Sequence, residues 1–326
     1  MGRKLNNTFM KDLEKGRLQS LLTVVQKDDT LDLQIRHDCV HIYYRGGRLF
    51  EIREVDKGAY KISSSDEAYN KEIKKEDLSY PRTVRTKQDA VAVSADVSKL
   101  KIVMDRYLSR KKDKTEKKKS GKEREYQQLI VKENNYTRNI TNGTDYYACD
   151  IEYEEGENRW DILAIKWESD GAKRKNTKDL ELAIIEVKYG DNALDGDSGL
   201  IDHLRKTNNL LLKESSRIKE LAAEMTESFN QKLKLNLIVD CKHEKIGPLA
   251  VTEKLDFIFV LINHDPARRA LRNALDEIKR ENFEKLNIKF AISNFMGYGL
   301  YIENIYDLEE FEAAFSKQIY SKSKEE

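Results

Sequence analysis

Apolar and polar residues alternate in four short runs near the start of the chain. The runs read LDLQIR, CVHIYYR, RLFEIREV and AYKIS, and they lie within residues 31–63. An alternation of period two is typical of strands that bury one face. Between the second and third runs, Gly46 and Gly47 can both adopt positive φ, which predicts a two-residue hairpin turn. The pattern therefore predicts a small β-meander, preceded by a short helix around residues 8–14.

A helical periodicity replaces the alternation in residues 89–108. Apolar side chains recur there every three or four positions and would form one buried stripe. Residues 110–121 are rich in lysine and contain no apolar side chain, so they cannot contribute to a core. We therefore predict a smaller β-rich N-terminal domain at residues 1–109, a basic linker at 110–121 and a second domain at 122–326.

The second half of the chain mixes both periodicities. KEREYQQLIVKENN predicts a helix, and DYYACDIEY, RWDILAIKW and LELAIIEVK predict three strands. A long amphipathic helix follows over residues 200–229, with Asp197 and Ser198 as N-cap candidates. LNLIVD and LDFIFVLINH then predict two further strands. The order helix, three strands, helix, strand indicates an α/β fold in which helices flank a mixed central sheet.

Composition limits the class of protein. Of the 326 residues, 39% are hydrophobic and 36% are charged, which suits two packed domains with a densely ionic surface. No apolar run approaches the roughly 20 residues that cross a bilayer, and the first residues lack the apolar centre of a signal peptide. We therefore expect a cytoplasmic protein without a membrane partner. Three widely separated cysteines argue against a disulfide framework and a zinc site, and predict buried free thiols.

Candidate chemistry lies where two of the predicted strands carry charges. Asp161 interrupts RWDILAIKW, and LELAIIEVK contains Glu186 and Lys188, which point to one face while Val187 points to the other. An apolar strand that ends in such charges would bury them at a cost unless the site lines a polar cleft or binds an ion. Other Glu-x-Lys triplets in this chain, such as the one beginning at Glu72, do not end an apolar run. The pattern therefore indicates a metal-dependent nuclease.

These residues resemble the PD-(D/E)XK nuclease superfamily over residues 122–240. The resemblance implies an αβββαβ core in which Asp161, Glu186 and the backbone carbonyl of Val187 bind Mg²⁺, with Mn²⁺ able to substitute. Mg²⁺ prefers such oxygen ligands. The family's lysine, here Lys188, assists catalysis. Trp160 precedes Asp161 where the family often has proline.

The resemblance also implies two further catalytic positions. Glu125 on the predicted helix that opens the domain matches the family's additional acid. His203, on the helix after the Glu-x-Lys strand, matches a position that contacts the substrate phosphate or orients water; its alternative interpretation is an ordinary surface histidine. The implied activity is hydrolysis of phosphodiester bonds in nucleic acid, with DNA favoured over RNA and both left open by the sequence, and with a role in restriction or phage defence. Two alternatives stay open: an inactive protein of this fold that binds nucleic acid or protein, and purely structural carboxylates.

Basic segments supply candidate contacts to a nucleic-acid backbone, which would be salt-sensitive and independent of sequence. Solvated surface charges are the alternative interpretation for all of them. The N-terminal domain is expected to recognise nucleic acid, to bind a protein partner or to form a homodimer. The candidate nucleic-acid-binding residues are Lys111, Lys112, Lys117, Lys118, Lys119, Arg268, Arg269 and Arg272.

Overall fold

The chain divides into two compact units in a computed structural model. The first unit contains Met1–Arg138 and Glu227–Lys245, and the second contains Asn139–Thr226 and Ile246–Glu326. None of the described helices is long and apolar enough to cross a membrane. The structure describes residues 2–64, 67–74, 81–109, 121–135, 143–238, 242–263, 269–293, 300, 302 and 305–320.

The first unit is built on an antiparallel meander in the order β1-β2-β3-β4-β5. One face of the sheet carries the apolar members of each alternating run, which pack with the helices into a single core. The predicted meander and the predicted helix at residues 89–108 are both confirmed. The helices are α1 (Asn7–Glu14), α2 (Gln19–Lys27), α3 (Glu67–Glu72), α4 (Lys87–Ser109) and α5 (Gly121–Asn135); the strands are β1 (Leu31–Arg36), β2 (Cys39–Tyr44), β3 (Gly47–Asp56), β4 (Ala59–Ser63) and β5 (Thr83–Val84).

The β2–β3 hairpin turns at Arg45 and Gly46, with φ of 51° and 72°. Gly47 is already the first residue of β3 and pairs with Tyr44, so the turn lies one residue earlier than predicted. Two consecutive positive φ values are typical of the type I′ turn, whose twist matches that of the flanking strands.

Helix α5 belongs to the first unit, whereas the predicted boundary assigned residues 122–135 to the second domain. Buried Gln128 attaches the helix to the meander: its Oε1 accepts from Gly46 N at 2.5 Å, and its Nε2 donates to Thr30 O at 2.8 Å. A buried amide with both ends satisfied fixes the position of a helix. Sequence periodicity does not reveal that Gln128 bonds to the meander.

The second unit is built on a mixed sheet in the order β11-β10-β9-β8-β7-β6. The β8–β9 and β9–β10 pairs are parallel and the other pairs are antiparallel. The chain is thus a mixed α/β protein with two sheets in its described part. The strands are β6 (Tyr146–Glu155), β7 (Asn158–Lys166), β8 (Glu181–Tyr189), β9 (Leu255–Ile262), β10 (Leu286–Ser293) and β11 (Tyr306–Asp307); the helices are α6 (Leu200–Lys213), α7 (Arg217–Lys234, shared with the first unit), α8 (Arg269–Arg280) and α9 (Leu308–Tyr320).

Strands β8 and β9 lie in the centre of this sheet and are buried along nearly their whole length. Central parallel strands are covered on both faces, which explains their continuous apolar runs. The predicted strands at residues 146–166 and 181–189 are confirmed as β6, β7 and β8.

The predicted strand LNLIVD is wrong in its described part. Leu235 and Asn236 form a turn that ends α7, with Asn236 at φ 52°, and Leu237 N donates to Lys232 O at 3.0 Å. A left-handed residue followed by this bond is the Schellman helix end. Leu235 and Leu237 are buried in the core of the first unit, which explains why their alternation resembled a strand. The strand that pairs with β8 after the helices is instead β9.

The predicted long helix over residues 200–229 consists of two helices, α6 and α7, separated by a turn in which Arg217 N donates to Glu214 O. The N-cap of α6 is Gly199, without a side-chain bond, so Asp197 and Ser198 do not cap it as predicted.

Candidate active site

The register of β7 and β8 brings Asp161 next to Glu186. The antiparallel ladder ends with Ile162 opposite Ile185, and Asp161 and Glu186 are the next residues of the two strands beyond that pair. Directly opposite residues of an antiparallel pair point to the same face of the sheet. The two predicted acids therefore project from neighbouring strands on one face.

Asp161 is held by the backbone of the next strand. Its Oδ2 accepts from Val187 N at 2.8 Å, and the residue is buried. The N–H and C=O of one strand residue point to the same side of the strand. The Val187 carbonyl therefore faces the Asp161 side of β8, while the Val187 side chain is buried in the core.

Glu186 and Lys188 form a buried ion pair at the end of β8. Lys188 Nζ lies 2.9 Å from Glu186 Oε1, and both side chains are 2% exposed. Lys188 also donates to the Ser198 carbonyl at 2.8 Å, in the loop before α6. His203 Nε2 lies 3.0 Å from the same Glu186 oxygen. The Glu-x-Lys alternation thus places both charges on one face, as predicted, and α6 adds His203 to them.

The second oxygen of Glu186 has a different environment. Oε2 is buried and, within the described part of the chain, has no hydrogen-bond partner. An unsatisfied buried carboxylate oxygen costs free energy that a bound cation would offset. Together with Asp161 and the Val187 carbonyl, it provides the oxygen-rich ligand set that Mg²⁺ prefers. The residues present therefore fit a Mg²⁺ ion.

Burial lowers the pKa of the His203 imidazole; the Glu186 carboxylate raises it, and the Lys188 ammonium lowers it again. Nε2 faces the Glu186 carboxylate, which can only accept, so a neutral ring carries its proton on Nε2 and its free lone pair on Nδ1.

Trp160 anchors the strand that carries Asp161 to the helix that carries His203. Its Nε1 donates to Thr207 Oγ1 at 2.8 Å, one turn beyond His203 on α6, and both residues are buried. Sequence reasoning did not identify Thr207 or the Ser198 carbonyl as part of the site. A backbone carbonyl leaves no sequence signal, and a threonine on an apolar helix face resembles any other core residue.

The other predicted site residues lie on α5 or α8, or outside the described part of the chain. Glu125 belongs to the first unit, where its Oε1 accepts from Arg45 Nε at 2.8 Å. Arg269 is exposed at the start of α8, and Arg272 is half-buried one turn later. Outside the described residues lie Lys111, Lys112, Lys117, Lys118, Lys119 and Arg268.

Another group of potential metal ligands lies closely packed in the first unit. Across the described ranges, one set of three His, Cys, Asp or Glu side chains has ligand atoms all within 4.8 Å of one another: Cys39, His41 and Glu51. Asp161, Glu186 and His203 do not form such a set.

No protein-family model, no curated protein and no solved structure matches this chain.

Proposed function

We propose that the protein is a Mg²⁺-dependent nuclease of the PD-(D/E)XK type that hydrolyses phosphodiester bonds, with DNA as its preferred substrate. The observation that carries this proposal is the buried Glu186 carboxylate, which has one oxygen paired with Lys188 and one without a partner, opposite Asp161 on the same face of the sheet. Glu186, Asp161 and the Val187 carbonyl would hold the ion. Within the second unit, the order β6, β7, β8, α6 also agrees with the three strands and following helix of that superfamily's core.

Bound Mg²⁺ supplies a water of lowered pKa and offsets charge on the phosphoryl oxygens. The chain's own residues do the rest. Lys188 is fixed by Glu186 and the Ser198 carbonyl, so its ammonium can stabilise the negative charge that develops at phosphorus without reorganisation. His203 donates from Nε2 to Glu186 Oε1 and so holds that carboxylate in place, where the ring can help to orient the attacking water.

A second candidate function is a nuclease fold without activity that binds nucleic acid or a protein. Its support is that Glu186 Oε1 is already paired with Lys188 and His203, and that Asp161 Oδ2 is already bonded to Val187 N. Such bonds stabilise the strands without any ion. Salt-sensitive binding to nucleic acid without metal-dependent turnover would favour this function.

Cleavage by the purified full-length chain tests the proposal. Supercoiled plasmid, circular single-stranded DNA and an RNA transcript are incubated with Mg²⁺, Mn²⁺ or EDTA. We expect ion-dependent DNA cleavage that falls roughly a hundredfold or more in Asp161→Asn and Glu186→Gln, because each removes a ligand charge. Glu220→Gln is the matched control, since this acid on α7 is half-exposed and bonds to Ser216 and Arg217 rather than to the site residues. Equal cleavage by wild type and both site variants would refute the proposal.

A further inference from the structure

A second group of potential ligands lies in the first unit, on the face of the meander opposite the core. Cys39 and His41 occupy alternate positions of β2, so their side chains project together, and Glu51 of β3 is paired directly with His41. Val40 and Ile42, the alternate residues of β2, point into the apolar core. The register of the hairpin therefore places a thiol, an imidazole and a carboxylate at one position.

The distances between these ligand atoms suit a tetrahedral ion. His41 Nε2 lies 3.9 Å from Cys39 Sγ and 3.1 Å from Glu51 Oε2. Zinc–ligand bonds of 2.0–2.3 Å at tetrahedral angles require separations of about 3.5 Å and about 3.3 Å for these two pairs. Shifts of a few tenths of an ångström, which side-chain rotation provides, would bring these two pairs to the required separations, and the third pair, Cys39 Sγ and Glu51 Oε2, lies within 4.8 Å.

Outer contacts already orient two of the three groups. Tyr43 OH lies 3.4 Å from His41 Nδ1, the ring nitrogen that is not the potential ligand, and Arg48 Nη1 lies 3.1 Å from the same nitrogen. Arg53 Nε donates to Glu51 Oε1 at 2.7 Å, which leaves Oε2 directed at His41, and Arg53 Nη2 lies 3.3 Å from Cys39 Sγ. Metal-binding histidines and carboxylates are held by contacts of this kind.

A cation lies among these ligand atoms. Arg48 Nη1 is 2.9 Å from His41 Nε2 and 3.7 Å from Glu51 Oε2. Its side chain is partly exposed, so the guanidinium can leave without disturbing the core. The imidazole and carboxylate of the cluster thus already contact a positively charged group, the Arg48 guanidinium.

We propose that Cys39 Sγ, His41 Nε2 and Glu51 Oε2 form a Zn²⁺ site for which the Arg48 guanidinium competes with the ion. A thiolate, an imidazole and a carboxylate are the ligand types that Zn²⁺ takes, and three protein ligands leave a fourth position for water. The cysteine spacing predicted no zinc site, because the ligands come from two strands and include one cysteine only.

Cobalt substitution tests the site in the full-length chain. Co²⁺ is titrated into reduced, metal-free protein, and the thiolate-to-cobalt charge-transfer band in the near ultraviolet is recorded; competition with Zn²⁺ and a chromophoric chelator then gives the Zn²⁺ affinity. We expect one equivalent of Co²⁺ with a thiolate band that Cys39→Ser abolishes. Cys149→Ser is the matched control, because Cys149 is a buried free thiol in the second unit.

Two further variants separate ion binding from folding. Glu51→Gln retains the bulk of the side chain and is expected to weaken Zn²⁺ binding at least about tenfold. Arg48→Ala is expected to tighten it at least about tenfold, because a unit charge within about 4 Å of the ion is removed. A misfolded protein would not bind more tightly, so Arg48→Ala keeps the test independent of stability. Absence of the thiolate band in wild type and Arg48→Ala, or its persistence in Cys39→Ser, would overturn the proposal.

Discussion

Replacing Lys188 by methionine is expected to destabilise the second unit by about 3–5 kcal/mol, the usual cost of removing one partner of a buried ion pair. Lys188 and Glu186 are each 2% exposed and lie 2.9 Å apart, so the variant leaves a buried carboxylate with His203 as its remaining recorded partner. Glu186→Gln should cost a similar amount, because it leaves a buried ammonium without its counter-charge. The double variant removes both charges and should be less destabilised than the sum of the single variants by about 2–3 kcal/mol.

Urea unfolding followed by tryptophan fluorescence measures this coupling in the relevant unit. The chain has two tryptophans, Trp160 and Trp167, and both are buried in the second unit. With an m-value of about 2 kcal/mol/M, a loss of about 4 kcal/mol lowers the midpoint by about 2 M. The buffer contains EDTA, so that no bound ion contributes.

Lys206→Met is the matched control for the lysine variant. Lys206 pairs with Asp202 one turn away on α6 at 2.8 Å, but its side chain is 37% exposed. Its removal should cost no more than about 0.5 kcal/mol. Additivity of the Lys188 and Glu186 effects within about 0.5 kcal/mol, or an effect of Lys188→Met no larger than that of the control, would refute the buried-pair argument.

Three further stability predictions follow from single contacts. Gly46→Ala should destabilise the first unit by more than about 3 kcal/mol, because a Cβ there would meet the α5 backbone at 2.2 Å. Gly156→Ala is the control, since Gly156 also has a positive φ but open space around it, and it should cost about 1 kcal/mol. Urea titrations followed by circular dichroism measure both changes. Thr207→Val should cost about 1–3 kcal/mol by tryptophan fluorescence, because it leaves the buried Trp160 indole N–H without its acceptor; an unchanged midpoint would contradict this. Asn236→Ala should cost about 1 kcal/mol and Asn236→Gly nothing, and equal effects would argue against a left-handed helix end.

Hydrophobic periodicity was sufficient to predict most strands of both sheets, because each strand buries one or both faces. It also placed Glu186 and Lys188 on one face, since that relation needs only the two-residue repeat of a strand. Periodicity failed where burial came from a distant part of the chain. Leu235 and Leu237 alternate like a strand but end a helix, because the first unit's core covers them.

Contacts between strands and helices could not be read from the sequence. The pairing of His41 with Glu51 depends on the hairpin register, and the turn lies one residue earlier than Gly46-Gly47 predicted. The attachment of α5 through Gln128 depends on two backbone groups, Gly46 N–H and Thr30 C=O, and backbone groups leave no signal in the sequence. Such relations become visible only when the register and the packing are known.

Equilibrium binding of Mn²⁺ tests the central claim most directly, because it examines the ion site without assuming a substrate. Free Mn²⁺ is measured by electron paramagnetic resonance during titration of the full-length chain, with Cys39→Ser as background so that the cluster in the first unit does not contribute. Bound Mn²⁺ that is lost in both Asp161→Asn and Glu186→Gln, and retained in Glu220→Gln, is the predicted result. Uptake that is equal in all variants, or absent from the Cys39→Ser background, would contradict a divalent-ion site at these two carboxylates.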